Sequence, residues 1–378
     1  MVDGSMLKLD PVHPDQWPVA QTPYEAEALA FCRAWVSGQT TFLLHTSGST
    51  GTPKPIQLTR AQMQASARLT GQTLGLQAGD TALVCLNISY VAGVMMLVRG
   101  LELGLPMTII EPSGNPLFGL DPATDRFAFT ALVPLQLQTI LDANPTTTQF
   151  DQRSILNGMK AILVGGAATS LALEQGLQTI TAPVYATYGM TETVSHIALR
   201  RLNGLEATDL FTALEGVTLG VDERDCLHIT SAATSFERVQ TNDVVDLLDA
   251  RHFRLLGRAD RVINSGGVKI QPEQVEQVIQ QALTAHSYSL PRFFVAGLSD
   301  ERLGQRVVLV YEQRVADNEA HPNFTAETLS AVQGAIRQTL GHYSIPKEWI
   351  AVPQFIETPT GKIDQKATLA QLPLRITN

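Results

Sequence analysis

From about residue 40 to residue 190, short apolar segments rich in β-branched residues recur, each followed by residues with helical spacing. The segments are Thr41–Leu44, Thr81–Leu86, Met107–Ile110, Phe129–Val133, Ala161–Val164 and Pro183–Thr187. This alternation predicts an α/β unit with a largely parallel sheet. A helix over Arg60–Leu74 is expected to start at Thr59 as its N-cap, and another over Leu171–Ile180 after Thr169 and Ser170. Residues 205–256 change character: Cys226–Thr230, Val244–Leu248 and His252–Leu256 alternate as antiparallel strands do. A charged, turn-like stretch follows at Gly257–Gly267. Beyond it come an amphipathic helix over Pro272–Leu283, strands at Phe293–Gly297 and Val307–Tyr311, a helix over Ala326–Leu340 and a C-terminal loop. The expected organisation is a large domain over 1–257, a hinge over 258–264 and a small α+β domain over 265–378. Met1–Pro23, rich in proline and polar residues, reads as a surface segment.

Composition narrows the class. The 378 residues are 44% apolar and 17% charged, enough to bury full cores without any sign of disorder. The net charge of −9 lies in residues 1–260, while 261–378 balance. That acidity argues against nucleic acid or an anionic membrane as partner. Cys32, Cys85 and Cys226 lie far apart with no C-x-x-C, so neither a disulfide framework nor a cysteine zinc site is indicated, and buried thiols in a reducing compartment are expected. The histidines lack zinc-hydrolase spacing. The opening residues hold no apolar export segment, and the longest apolar run, Val91–Val98, ends at Arg99. A cytoplasmic location follows as the expectation.

The most informative stretch is Thr46-Ser47-Gly48-Ser49-Thr50-Gly51-Thr52-Pro53-Lys54, read as lying after a strand and before a helix. Its glycines let backbone N–H groups approach an anion, its hydroxyls add donors, and Lys54 adds a positive charge, so a polyphosphate is the natural guest. It is not a Walker A loop. Pro53 precedes the lysine and has no N–H, and Pro55 stands where that loop carries its magnesium-binding hydroxyl. No G-x-S-x-G occurs, which removes the serine-hydrolase elbow.

This run resembles the phosphate loop of the adenylate-forming superfamily of acyl-CoA synthetases, adenylation domains and luciferases. Further motifs follow in the family's order: Gly165-Gly166-Ala167 after a strand, Tyr188-Gly189-Met190-Thr191-Glu192, Gly257-Arg258-Ala259-Asp260, Ser265-Gly266-Gly267-Val268-Lys269-Ile270 and Pro359-Thr360-Gly361-Lys362. The resemblance implies ATP, Mg2+ and coenzyme A as cofactors and cosubstrates, with a small-molecule carboxylic acid as the remaining partner. A carboxylate attacking an α-phosphate brings two anions together, so cations and fixed dipoles must sit where charge accumulates. By resemblance, Glu192 holds the magnesium, Thr191 donates to the α-phosphate, and Tyr188 stacks on adenine beside Gly165–Ala167. Taken alone, Tyr188 reads as core and Glu192 as a solvated charge; adjacency in one motif gives them their roles. Asp243 takes both ribose hydroxyls, and Arg258 completes the ribose and phosphate contacts. Asn242 and Pro55 replace glycines usual in the family; Asn242 is expected to keep a left-handed turn. Lys362 would reach the reacting groups by rotation at Asp260, which then withdraws it and brings Gly266 and Gly267 to a coenzyme A tunnel. Lys269 reads as a solvated lysine.

For the acid itself, Val91–Met96 and Gly189–Arg200 resemble the o-succinylbenzoate–CoA ligases of menaquinone biosynthesis. Tyr90 is the expected gate of the acyl pocket, and Ser195, His196 and Arg200 are candidates for the carboxylate that does not react, with a packed core histidine and a surface arginine as the alternatives. The phosphate loop begins near residue 46, leaving no room for the N-terminal subdomain of most relatives, so a sheet edge needs cover from the N-terminal segment or from a homodimer. Three other functions stay open: another aryl- or acyl-CoA ligase, a stand-alone adenylation enzyme that loads a carrier-protein thiol, and non-catalytic nucleotide binding.

Overall fold

The computed structural model describes residues 6–45, 55–143, 150–286, 292–312, 326–358 and 363–372. The chain begins with β1 (Met6–Leu9), α1 (Pro23–Val36), the hairpin strands β2 (Thr41–His45) and β3 (Pro55–Thr59), and α2 (Arg60–Leu74). There follow β4 (Ala82–Val84), α3 (Val91–Leu103), β5 (Met107–Ile110), β6 (Phe129–Leu132), α4 (Pro134–Asp142), α5 (Gln152–Asn157), β7 (Ala161–Val164), α6 (Leu171–Gly176) and β8 (Val184–Gly189). A run of strands comes next: β9 (His196–Arg201), β10 (Phe211–Ala213), β11 (Thr218–Val221), β12 (Cys226–Thr230), β13 (Val239–Leu247) and β14 (His252–Arg258). The remainder is β15 (Ile263–Ser265), β16 (Val268–Ile270), α7 (Pro272–Ala285), β17 (Phe293–Asp300), β18 (Gly304–Glu312), α8 (Ala326–Leu340), β19 (Glu348–Val352) and α9 (Gln365–Ala370).

A twelve-stranded sheet runs β1-β5-β4-β6-β7-β8-β9-β10-β14-β13-β12-β11. Strands β5, β4, β6, β7 and β8 pair in parallel, as the βα alternation requires, and every pairing outside them is antiparallel. The switch falls between β8 and β9. The fold is therefore α/β with an antiparallel extension, which starts at β9, ahead of the change of pattern read at residue 205. A second sheet, β16-β15-β18-β17 with β19 parallel to β18, is buried on both faces. Val295, Val307, Leu309 and Tyr311 pack toward α7 and α8, while the alternate residues Phe294, Ala296, Val308 and Val310 pack with Val352 and Phe355. The largest apolar cluster draws on residues 7–253.

Three expectations change. The segment at Thr41 is not in the parallel sheet. It pairs antiparallel with β3 as a separate two-stranded hairpin, so the glycine-rich run joins two strands rather than a strand and a helix. The proline that opens this run demotes it as a strand candidate, because it has no N–H to give to a ladder. The N-terminal segment is also more than surface: β1 pairs with the edge of β5, and Leu7, Leu9 and Trp17 are buried. It thus covers the outer edge of the parallel strands. Asn242 lies within β13 and does not have a positive φ, so no left-handed turn is needed there. All three cysteines are buried and unpaired.

Local chemistry explains the elements that frame the site. Thr59 Oγ1 accepts from the Gln62 N–H, and the Gln62 side chain accepts from the Thr59 N–H, a reciprocal cap that starts α2 at Arg60. Among the described residues, no helix is long and apolar enough to cross a membrane.

Candidate active site

The carboxyl ends of parallel strands are where an open α/β sheet offers a crevice. Here β7 ends into Gly165–Ala167, and β8 runs into Tyr188-Gly189 and a short 3-10 turn at Thr191–Thr193. Gly166 holds φ +85°, a conformation side chains resist, and Ala167 beside it is exposed. At Gly189 a Cβ would overlap the Ser195 carbonyl and His196 Cα, because β8 and β9 shift register at this point. That close approach is the physical reason for the glycine in the Tyr188–Glu192 motif. Thr191 is buried and Glu192 exposed.

A continuous chain of hydrogen bonds runs from this motif to the 258–264 segment. Tyr188 donates its hydroxyl to Asp243 Oδ2 at 2.6 Å, and Arg258 Nη1 donates to Asp243 Oδ1 at 3.0 Å. Arg258 also grips Asp260 with two bonds of 2.9 Å through Nε and Nη2. Strand pairing sets this up, since Asp243 on β13 stands opposite Arg258 on β14. Burial, reinforced by the Asp243 charge, pushes the Tyr188 phenol above its usual range, so it remains a donor. Its ring packs against Phe211 and edge-on against Phe253. The bond from Arg258 holds the Asp260 carboxyl below the usual carboxylate range.

An ionised carboxylate offers about four acceptor sites. Tyr188 and Arg258 take one on each oxygen of Asp243, leaving about two, which suits a vicinal diol. Glu192, exposed and without a side-chain partner among the described residues, is a hard oxygen ligand just beyond the end of β8. Among the described residues no group of three or more acidic, histidine or cysteine side chains forms a metal cage. That donor set suits magnesium, which commonly takes one or two carboxylates and completes its shell with water and substrate phosphates.

The acyl side is built around α3 and the start of β9. Tyr90 caps α3 and is half-buried. Arg200 is not free for an anion, because Glu174 pairs with it at 2.5 Å and Thr169 joins the same carboxylate. Ser195, at the other end of β9, instead meets a residue the motifs do not reveal: Arg99, only 2% exposed, donates to Ser195 Oγ at 2.8 Å and to Thr70 Oγ1 at 3.2 Å. His196 is buried against both, with Nε2 3.1 Å from Thr70 Oγ1. Burial, together with the Arg99 charge, lowers its imidazole well below the ordinary range, so it is neutral.

The AMP-binding enzyme family matches residues 6–214, more than half of the chain. The chain belongs to that family. The probable 2-succinylbenzoate–CoA ligase of Mycobacterium tuberculosis is 29% identical over 338 residues, covering 85% of this chain and 82% of that protein. An acyl-CoA synthetase (AMP-forming)/AMP-acid ligase II-like protein from Dyadobacter fermentans is 42% identical, with a TM-score of 0.64 over 98% of this chain and 100% of that one. The O-succinylbenzoate coenzyme A synthetase of Bacillus subtilis, solved with ATP and magnesium, is 20% identical, covers 86% of this chain and 69% of its own, and has a TM-score of 0.64; it shares the fold. These kinships place the AMP-binding enzyme described here among AMP-forming acyl-CoA synthetases.

Thr46, Ser47, Gly48, Ser49, Thr50, Gly51, Lys54 and Lys362 lie outside the described residues. Gly266 and Gly267 both hold positive φ, 59° and 83°, at the two-residue turn between β15 and β16. A tight hairpin turn of this kind requires glycine by itself. Lys269 is exposed. Arg99 is the residue sequence reasoning missed. Its signal was visible as the single charge ending the apolar run Val91–Val98.

Proposed function

We propose that this AMP-binding enzyme is a 2-succinylbenzoate–CoA ligase. In the first step a carboxylate oxygen attacks the α-phosphorus of ATP, the bond to the β-phosphate oxygen breaks, and acyl-adenylate and pyrophosphate result. In the second, the coenzyme A thiol loses its proton to solvent, its sulfur attacks the acyl carbon, and the bond from that carbon to the phosphate oxygen breaks to release AMP. Asp243 accepts from the ribose hydroxyls through the acceptor sites that Tyr188 and Arg258 leave free. Thr191 and the 46–54 loop bind the phosphates, with Gly165–Ala167 beside the base and Tyr188 as its stacking surface. Glu192 would hold magnesium, which neutralises phosphate charge when bound. Lys362 contributes its ammonium to adenylation, and rotation at Asp260, released from Arg258, exchanges Lys362 for Gly266 and Gly267 at the coenzyme A route. The domain boundaries proposed for that motion are 1–257 and 265–378.

The carrying observation is the likeness to the Mycobacterium tuberculosis protein across most of both chains. The hydrogen-bonded link Tyr188–Asp243–Arg258–Asp260 supports it, because it joins two motifs far apart in sequence into one site. The test offers a panel of aryl and fatty acids with ATP, magnesium and coenzyme A and measures AMP. Acid-dependent AMP with 2-succinylbenzoate, accompanied by its thioester, is expected. AMP only with other acids would retire the substrate, and AMP without thioester would favour transfer to a carrier-protein thiol.

A further inference from the structure

The loop between β4 and α3 leaves the sheet at the carboxyl end of a parallel strand, the end at which Gly165 and Tyr188 also stand. It delivers Tyr90, the residue that caps α3. Side chains from two other helices hold its carbonyls. Gln136 in α4 gives its amide to the Cys85 carbonyl at 3.2 Å and to the Ser113 carbonyl at 3.0 Å. Tyr24 in α1 gives its hydroxyl to the Leu86 carbonyl at 2.8 Å. Asn87 then folds the loop on itself: its carbonyl accepts from the Tyr90 N–H at 3.2 Å, and its side chain accepts from the Ser89 N–H at 2.8 Å. The loop also lies hard against the first turn of α3, where a Cβ on Gly93 would come within 2.4 Å of the Asn87 carbonyl oxygen. In so close a packing a displacement at Leu86 passes on to Tyr90 rather than being absorbed on the way.

The helix that presents Tyr24 is itself well fixed. Thr22 caps α1 through the Glu25 N–H, Pro23 opens its first turn, and the buried Glu25 side chain accepts from the Gln21 N–H at 2.6 Å. Tyr24 is half-buried, and burial pushes its phenol above the usual range, so it stays protonated and donates. At the far end of α1, Trp35 gives its indole N–H to Glu102 Oε1 at 3.1 Å, in the last turn of α3. The helix therefore lies along α3 in the same direction, bonded to Leu86 ahead of the start of α3 and to Glu102 near its end.

We propose that Tyr24 is a positioning residue for the acid pocket: by holding the Leu86 carbonyl it fixes the 86–90 loop and with it Tyr90, so that α1 takes part in choosing the acid. This rests on the ligase reading above, with Tyr90 as the gate of the acyl side. A pocket wall tells acids apart through close apolar contacts, and it does so only while a supporting shell holds the wall in place.

The experiment uses Tyr24→Phe, which removes the hydroxyl and keeps the ring. Steady-state kinetics of the full chain are measured for ATP and for 2-succinylbenzoate or, if that is refused, for the acid of the panel that releases AMP. KM for the acid should rise by about 3- to 10-fold, while KM for ATP changes by less than about twofold. Discrimination between that acid and its homologue longer by a methylene should shrink by about the same factor. Trp35→Phe is the control, because it removes the bond at the far end of the same helix. It should lower the melting temperature at least as far as Tyr24→Phe does and leave the acid KM within about twofold of the wild type. An acid KM that stays within about twofold in Tyr24→Phe, acid and ATP constants that rise together, or an equal rise in acid KM for Trp35→Phe overturns the assignment and makes Tyr24 a strut of α1. A wild type that releases AMP with no acid at all defeats the ligase reading itself, and this inference with it.

Discussion

Replacing Asp243 with alanine removes a carboxylate that does two separable things. In the free protein it accepts from Tyr188 at 2.6 Å and from Arg258 at 3.0 Å. The remaining acceptor sites, about two of about four, are those assigned to the ribose. A hydrogen bond from a hydroxyl to an ionised acceptor contributes about 1.5–3 kcal/mol, or about 10- to 100-fold in affinity. The assay is kcat/KM for ATP and for 2′-deoxy-ATP at saturating acid. The wild type should favour ATP by about 10-fold or more, and Asp243→Ala should bring that ratio close to unity while lowering both values. Folding reports the other role. The stranded Tyr188 hydroxyl, in a buried site, should cost about 1–3 kcal/mol, seen as a fall of a few degrees in melting temperature at roughly 1–2 °C per kcal/mol for a chain of this size. If the melt falls but the discrimination between ATP and its deoxy analogue survives, Asp243 is a strut between β13 and β14 and the ribose assignment is wrong.

Other substitutions probe the frame of the site. Thr59→Ala breaks the reciprocal cap of α2 and should lower stability by about 1 kcal/mol in urea unfolding, with kcat unchanged at saturating substrate. Gly189→Ala forces a methyl into the Ser195 carbonyl and should destabilise by more than about 3 kcal/mol, visible as lost soluble yield or a much lower urea midpoint. The pH dependence of stability should show the buried neutral His196. Its native pKa is depressed, so below about pH 6.5 the unfolded chain binds a proton the native one refuses, and stability falls as pH drops. Urea midpoints between pH 7.5 and 5.5 should therefore decline less for His196→Gln than for the wild type; parallel declines would contradict a buried neutral imidazole.

Much of this was legible because local signals and fold agreed. Thr59 before a helical pattern marked the start of α2, Pro272 marked the first turn of α7, and β-branched runs between helices announced the parallel strands. What escaped notice depended on partners distant in sequence. Met6–Leu9 becomes a strand only because β5 offers it an edge, and Pro55–Thr59 only because Thr41–His45 lies opposite. Arg200 and Arg99 are indistinguishable as letters; Glu174 neutralises the first, and nothing acidic among the described residues reaches the second. The glycine pair at 266 and 267 shows the converse, since a turn alone accounts for a motif the family resemblance assigns to coenzyme A.

Oxygen transfer bears most directly on the chemistry. Acid labelled with 18O in the reacting carboxylate, incubated with ATP, magnesium and coenzyme A, should yield AMP carrying one labelled oxygen and a thioester that has lost it. Label appearing in inorganic phosphate, with ADP as the nucleotide product, would show that the acid attacks the terminal phosphorus and that no acyl-adenylate forms.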